Sequence, residues 1–105
     1  MNKKIKEKWV EALKSNKYKQ GCLYLRSEND SYCCLGVLCD IVDPSKWIKG
    51  CTDYAYEETM AKSSLCEPLR TKLGISIVDI DRLINMNDSR EWSFNSIADW
   101  IEETL

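Results

Sequence analysis

The sequence predicts one small α+β domain in which amphipathic helices at both ends pack with a short β-hairpin or antiparallel sheet and a buried central helix. Three observations lead to this class. Both ends of the chain place apolar residues at helical spacing, a polar turn-forming run divides two short apolar segments near residues 22–35, and a nearly continuous apolar segment follows. A chain of 105 residues can form one core without disulfides or metals. We therefore expect a single domain over residues 1–105.

The two terminal helices are the clearest elements of the pattern. Over residues 3–15, Ile5, Trp9 and Leu13 recur at helical spacing among lysines and glutamates. This arrangement predicts an amphipathic helix with a lysine-rich outer face. At the other end, Ser93 is a good N-cap for a helix that runs to the C-terminus.

A β-hairpin and a buried helix are predicted to follow the first helix. Residues 22–26 and the segment that starts at Tyr32 flank the polar run 27–31, which is rich in turn-forming residues. The second strand should pass into a helix near Leu35. Apolar groups cover most of that helix, so we expect it to be central until the Asp-Pro pair at residues 43–44 ends it.

The middle of the chain is the least regular part. Residues 45–65 show no sustained period of 3.6 or 2 and are interpreted as a long excursion, with a short strand at 51–56.

Two further short helices are predicted after this excursion. One covers residues 67–74, with a proline in its first turn and a glycine at its end. The other covers residues 79–86, although its start is open because residues 75–80 also alternate like a strand. The Asn-Asp-Ser sequence at 87–89 is interpreted as a turn.

The segment YCCLGVLCD, residues 32–40, holds three of the six cysteines. A zinc site is the alternative to a core segment, but the chain has no histidine and no Cys-x-x-Cys. A nucleophilic thiol would also need a base, and the usual base is histidine. We therefore interpret the thiols as small buried apolar groups and expect Gly36 to allow close backbone approach. For Asp40 a capping or turn-acceptor role is favoured, with ligand contact as the alternative. The six cysteines are Cys22, Cys33, Cys34, Cys39, Cys51 and Cys66.

Composition and charge narrow the class of function. Without histidine, a phosphate loop or a dinucleotide fingerprint, the sequence indicates a protein that is not an enzyme and needs no metal or cofactor. Residues 1–20 carry a net charge of +5 within a chain of net charge −2, which we interpret as a solvated helix face. The final helix is acidic, so nucleic-acid binding is disfavoured. No apolar run approaches the ~20 residues of a membrane span, and the expected location is the cytoplasm.

Several motifs resemble a family of small, mostly uncharacterised bacteriophage proteins. They are Trp-Val-Glu-Ala-Leu at 9–13, Tyr-x-Gln-Gly at 18–21, YCCLGVLCD at 32–40, Asn-Asp-Ser at 87–89 and the Ser-Phe followed by Ile-Ala-Asp-Trp-Ile-Glu between 93 and 102, together with Leu25 and Arg26. The chain departs from the family pattern after Asn-Asp-Ser, where Arg-Glu-Trp replaces the usual glycine and short link.

The resemblance implies a phage-encoded accessory factor of the host cytoplasm, a class that often counters host defence. The first hypothesis is a non-catalytic binder, a sponge that sequesters a small anionic nucleotide-like signal and forms a homo-oligomer. An arginine can fork onto phosphate and a tyrosine can stack on a base. The second is a protein-binding inhibitor of a host defence protein with Trp47, Trp92 and Tyr56 as anchors, and a small DNA-associated regulator is a third. The candidate ligand-binding residues are Tyr24, Arg26, Tyr32, Asp40, Asn87, Asp88 and Ser89.

Overall fold

The computed structural model describes residues 1–50, 53–56, 64–89 and 91–105. Within these ranges the chain has an α+β fold in which helices surround a five-stranded mixed sheet. The helices are α1 (Lys3–Lys14), α2 (Cys34–Val42), α3 (Glu67–Leu73), α4 (Ile77–Asp88) and α5 (Phe94–Thr104). The strands are β1 (Lys19–Gln20), β2 (Arg26–Ser27), β3 (Ser31–Tyr32), β4 (Trp47–Lys49) and β5 (Asp53–Tyr56). No helix in the described part of the chain is both long and apolar enough to cross a membrane.

The terminal helices form as their sequences predict. The Asn2 side chain caps α1 by accepting a 3.1 Å hydrogen bond from the backbone N–H of Ile5. The hydroxyl of Ser93 caps α5 by accepting from the backbone N–H of Ser96. The two helices pack on each other, and at their exposed edge Lys14 pairs with Asp99 at 2.8 Å. The predicted amphipathic N- and C-terminal helices are therefore confirmed.

Helix α2 is the buried centre of the fold, as predicted. It begins directly after β3, and every residue from Cys34 to Cys39 is buried. A Cβ built on Gly36 would lie 1.7 Å from the carbonyl oxygen of Leu25, so only glycine lets this helix pack on that backbone. The indole N–H of Trp9 donates a 2.9 Å hydrogen bond to the Cys34 carbonyl, which ties α1 to α2.

The predicted hairpin is found as the antiparallel pair β2–β3, but its first strand is shorter than predicted and the sheet that contains it is mixed. Arg26 of β2 pairs with Tyr32 of β3 in antiparallel fashion, but residues 22–25 are bends and do not belong to the first strand. The sheet is mixed because β1 pairs with β3 in parallel, and its order is β1-β3-β2-β5-β4. Strand β4 was missed in the region interpreted as an excursion. The predicted strand at 51–56 is found as Asp53–Tyr56, and residues 51–52 lie outside the described residues.

The observed bounds of α3 and α4 differ in part from the predicted ones. α3 ends as predicted, with Gly74 in the left-handed region at φ 76°. α4 begins two residues earlier than predicted because the Ser76 hydroxyl accepts from the backbone N–H of Asp79. The predicted turn at 87–89 is wrong, since Asn87 and Asp88 complete the last turn of α4.

Candidate functional site

One face of the sheet is built from aromatic side chains. Residues that pair across neighbouring strands share a face, and the pairs Arg26 with Tyr32, Arg26 with Tyr54, and Trp47 with Tyr56 collect the rings there. Trp47 stands edge-on to Tyr32, Tyr54 and Tyr56, with ring centroids 5.1–6.2 Å apart. Tyr56 is fully buried and is therefore not an exposed interface anchor, whereas Trp47 is half-buried and packs within this cluster.

The guanidinium of Arg26 lies inside this aromatic cluster. Its Cζ is 3.9 Å from the centroid of the Tyr54 ring, and the rings of Tyr32 and Trp47 are 5.4 and 5.5 Å away. Its Nε and Nη2 both donate to one carboxylate oxygen of Asp30. The guanidinium that was predicted to bind a phosphate is thus held rigidly, because it already contacts the Asp30 carboxylate and three aromatic rings.

Asp40 serves as an acceptor between the sheet and α2. Its two carboxylate oxygens accept hydrogen bonds from the Tyr18 hydroxyl at 2.6 Å and from the Trp47 indole N–H at 3.0 Å. Burial, followed by the hydrogen bond to this carboxylate, raises the pKa of Tyr18. Burial also raises the pKa of Tyr32, with the negative charge of Asp40 as a further cause. Asp40 is thus a structural acceptor, but the predicted capping or turn-acceptor role is wrong, because Asp40 lies within α2 and accepts from two distant side chains.

A second group of polar side chains meets at the fully buried Asn87. Its amide nitrogen donates to the Gly21 carbonyl at 2.7 Å, and its oxygen accepts from the backbone N–H of Cys34 at 3.2 Å. Gln20 donates to the Asn87 oxygen and to the Trp92 carbonyl, and its own oxygen accepts from the backbone N–H of Phe94. We call this group, Gln20 and Asn87 with the backbone they bind, the amide hub. It joins β1, α2, α4 and the start of α5.

The segment after Gly21 docks on the end of α4 in a strained conformation. Leu23 has φ 73°, in the left-handed region that a leucine rarely adopts. Its backbone N–H donates to the Asp88 carboxylate at 3.0 Å, and the Cys22 thiol donates to the Asn87 carbonyl at 3.7 Å. The Leu23 side chain is nevertheless 62% exposed. Strain of this kind is often found at functional sites.

A cleft of about 600 Å³ opens beside the amide hub. It lies between the strained segment on one side and the connection from α4 to α5 on the other. Trp92, which is half-buried, and the exposed Glu91 contribute to its wall. The lining residues are Gln20, Gly21, Cys22, Leu23, Asn87, Glu91, Trp92 and Ser93.

The structure separates the predicted site residues into two groups. Arg26, Tyr32 and Asp40 belong to the aromatic cluster, where internal contacts engage them. Asn87 and Asp88 belong to the hub and the strained segment.

Two predicted residues stand apart from both groups. The Ser89 hydroxyl donates to the Met86 carbonyl at the end of α4. Tyr24 is 42% exposed and follows Leu23 beyond the lining of the cleft.

Sequence reasoning missed the contributions of Gln20 and Leu23 to the cleft and considered Trp92 only as a protein anchor. The Tyr-x-Gln-Gly motif contained Gln20, but its partners lie 67 to 74 residues away in sequence. No local pattern indicates such distant contacts. A positive φ at leucine also has no signature in sequence.

The cysteines of the motif are core residues. Cys33, Cys34 and Cys39 are buried, whereas Cys22 and Cys66 are half-buried. Burial raises the pKa of Cys33 to about 12 and raises the pKa values of Cys34 and Cys39 well above the ordinary range. These thiols therefore stay protonated at neutral pH and act as apolar packing groups. Cys51 lies outside the described residues. Across the described ranges, no group of three or more Cys, Asp or Glu side chains could hold a metal ion.

Comparison with known proteins gives one match. A family model described as a domain of unknown function (DUF8296) matches residues 1–72, a range that contains α1, the whole sheet and α2 and ends within α3. No curated protein and no solved structure matches the chain.

Proposed function

This chain belongs to the DUF8296 family, and we propose that it is a non-catalytic binding protein that sequesters a small nucleotide-like molecule in the cleft beside the amide hub. The observation that carries the proposal is the cleft itself. Its volume of about 600 Å³ falls within the ~300–1,000 Å³ of small-molecule sites. It also combines an aromatic residue, Trp92, with a polar floor that is rigidly built.

The floor of the cleft is preorganised by the amide hub. Asn87 and Gln20 use their amide groups to bind the backbone of three separate elements. They therefore fix the shape of the cleft, and the contact surface for the ligand comes from Trp92 and the Cys22–Leu23 segment. A flat heteroaromatic base can stack on an indole ring, and the stacking depends little on which base it is. A nucleobase fits this chemistry.

A binding role is supported over a catalytic one by the chemistry of the lining. The described lining holds two side chains of nucleophilic type, Cys22 and Ser93. The Ser93 hydroxyl caps α5 by accepting from the Ser96 N–H, and the Cys22 thiol donates to the Asn87 carbonyl. A carbonyl accepts this hydrogen bond but does not remove the proton, so the thiol lacks an activating base there. The whole chain contains no histidine.

The biological setting of the proposal comes from the phage resemblance. We infer a phage-encoded accessory factor that acts in the cytoplasm of the host and lowers the concentration of a nucleotide signal used in host defence. Sequestration needs only a tight and abundant binder, which suits a small domain without catalytic groups. A homo-oligomer would multiply the number of sites on each particle.

Thermal unfolding with a panel of nucleosides and of linear and cyclic nucleotides tests the proposal. A ligand present at 100 times its Kd adds ~2.7 kcal/mol to the free energy of unfolding and raises Tm. Trp92→Ala should lose the shift, whereas Ile48→Ala, at an exposed apolar residue of β4, should keep it. Circular dichroism verifies that both variants fold. If no member of the panel shifts the Tm of the parent protein, the proposal fails.

A protein-binding inhibitor is the second candidate function, and one observation favours it. Leu23 and Tyr24 are adjacent, exposed and held in place by the hydrogen bond from Leu23 to Asp88. Exposed aromatic and aliphatic groups that are already ordered are suited to protein interfaces because little entropy is lost on binding. Co-purification of a host protein that depends on both side chains would support this function. The doubly substituted Leu23→Ser, Tyr24→Ser protein should then fold normally and lose the host protein.

A further inference from the structure

The described lining of the cleft is acidic. Glu91 is the charged residue among the described lining residues, and it is exposed. The carboxylate of Asp88 lies at the edge of the strained segment, where it accepts from the Leu23 N–H. Arg26, the cation expected to meet a phosphate, is instead stacked on Tyr54 and paired with Asp30. Among the described residues, Glu91 in the lining and the Asp88 carboxylate beside it both repel an anion.

The ends of two helices meet at the cleft and have opposite effects on the binding of an anion. α4 directs its C-terminal end, the negative end of the helix dipole, to this region. α5 starts there with its positive end, which would attract an anion. However, two of its first three N–H groups have internal partners, because Phe94 N–H donates to the Gln20 side chain and Ser96 N–H donates to the Ser93 hydroxyl. The attraction of α5 for an external anion is thereby reduced.

We propose that the cleft receives the uncharged nucleoside part of the ligand, base and sugar, and that any phosphate points outward into solvent away from Glu91 and Asp88. This inference rests on the proposed function and adds to it the orientation of the ligand in the cleft. The ligand class is then defined by its base, which stacks on Trp92, and the phosphate opposes binding. The sequence had instead led us to expect that Arg26 binds a phosphate and that a tyrosine stacks on the base.

Calorimetry with four nucleosides and their 5′-monophosphates tests the inference directly. Adenosine, guanosine, cytidine and uridine are each compared with the matching monophosphate at about 20 mM and about 500 mM NaCl. We expect the best nucleoside to bind at least as tightly as its monophosphate at low salt. High salt should reduce the difference between the affinities for the nucleoside and the monophosphate. At about 500 mM NaCl the Debye length falls well below 10 Å, so the repulsion between the phosphate and the carboxylates is screened.

A variant without the charge of Glu91 tests whether this carboxylate lowers the affinity of the cleft for the monophosphate. Glu91→Gln keeps the shape of the side chain and removes the charge, so it should raise the affinity for the monophosphate relative to the nucleoside by about threefold to tenfold. Glu103→Gln is the matched control, since it removes the same charge from an exposed position near the far end of α5. It should leave the ratio unchanged.

The possible outcomes separate this inference from the proposed function. A monophosphate that binds more tightly than its matching nucleoside at about 20 mM NaCl overturns the inference and leaves the proposed function standing. An unchanged ratio in Glu91→Gln also overturns it. If neither ligand class binds, nor any cyclic nucleotide in the panel, the proposed function fails and this inference fails with it.

Discussion

The side-chain amide of Asn87 donates a 2.7 Å hydrogen bond to the backbone carbonyl of Gly21, which lies 66 residues earlier in the chain. The same side chain also accepts from the backbone N–H of Cys34, so one residue of α4 joins the segment after β1 to the start of α2. Asn87 is fully buried. These bonds satisfy the buried N–H of Cys34 and the partly buried carbonyl of Gly21, which makes Asn87 a structural determinant of the cleft.

Replacing Asn87 by Ala should therefore destabilise the protein strongly. The substitution leaves the buried Cys34 N–H and the partly buried Gly21 carbonyl without their side-chain partner, at a cost of up to about 1–3 kcal/mol each, and we expect a total loss of about 2–4 kcal/mol. Asn85→Ala is the matched control on the exposed side of α4 and should change stability by less than about 0.5 kcal/mol. Urea unfolding measures both. Similar values for the two variants would contradict the role of the hub.

Gly36→Ala should be among the most damaging single substitutions in α2. The new Cβ would lie 1.7 Å from the Leu25 carbonyl oxygen, and a backbone atom cannot move aside without shifting the helix or the sheet. We expect a loss of at least about 3 kcal/mol. Gly74→Ala provides the comparison, because its φ of 76° costs an alanine only about 1–2 kcal/mol. Equal losses for both glycines in urea unfolding would show that the contact is relieved easily.

Arg26 should stabilise the fold mainly through the rings around it. Arg26→Ala removes stacking on Tyr54, Tyr32 and Trp47, and we expect a loss of about 1–2 kcal/mol. Asp30→Asn removes the partner charge while tolerating the positive φ of that position, and it should cost about 0.5 kcal/mol or less because Asp30 is exposed. Thermal unfolding compares the two. A larger loss for Asp30→Asn would mean that the ion pair dominates.

Stability should fall at alkaline pH because of the buried thiols. The unfolded chain releases a thiol proton near its ordinary pKa of about 8.5, whereas the pKa of Cys33 in the folded protein is raised to about 12. Between these values the native state binds more protons than the unfolded state, so the free energy of unfolding decreases by up to ~1.4 kcal/mol per pH unit for each such thiol. Below pH 8.5 the contribution is fully present.

Urea unfolding from pH 8 to pH 11 measures this dependence. Cys39→Ala should flatten the decline, because it removes one buried thiol with a raised pKa, at a packing cost of ~1 kcal/mol at neutral pH. An alkylating reagent at neutral pH should label Cys22 and Cys66 before Cys34 or Cys39. Rapid labelling of Cys34 in the native protein would contradict its burial.

The sequence by itself determined the elements whose signals are local. Ser93 marks the start of α5, Gly74 marks the end of α3, and the apolar segment after Tyr32 specified a buried helix. Each of these depends on residues within a few positions of one another, because caps and helical faces are formed by neighbours in the chain.

Only the tertiary structure decided the strand pairing and the site. Two-residue strands such as β1 and β3 are too short for a periodic signal, and the distant segments that they join determine their pairing. Asn87 looked like a turn former because asparagine often bonds to nearby backbone, yet its partners lie 53 and 66 residues away. Arg26 has the chemistry of an anion-binding residue, but in the fold its guanidinium packs against the Tyr54 ring. Contacts between distant residues become specific only when the core brings them together, so the sequence supplied the functional groups and the fold decided which of them face a ligand.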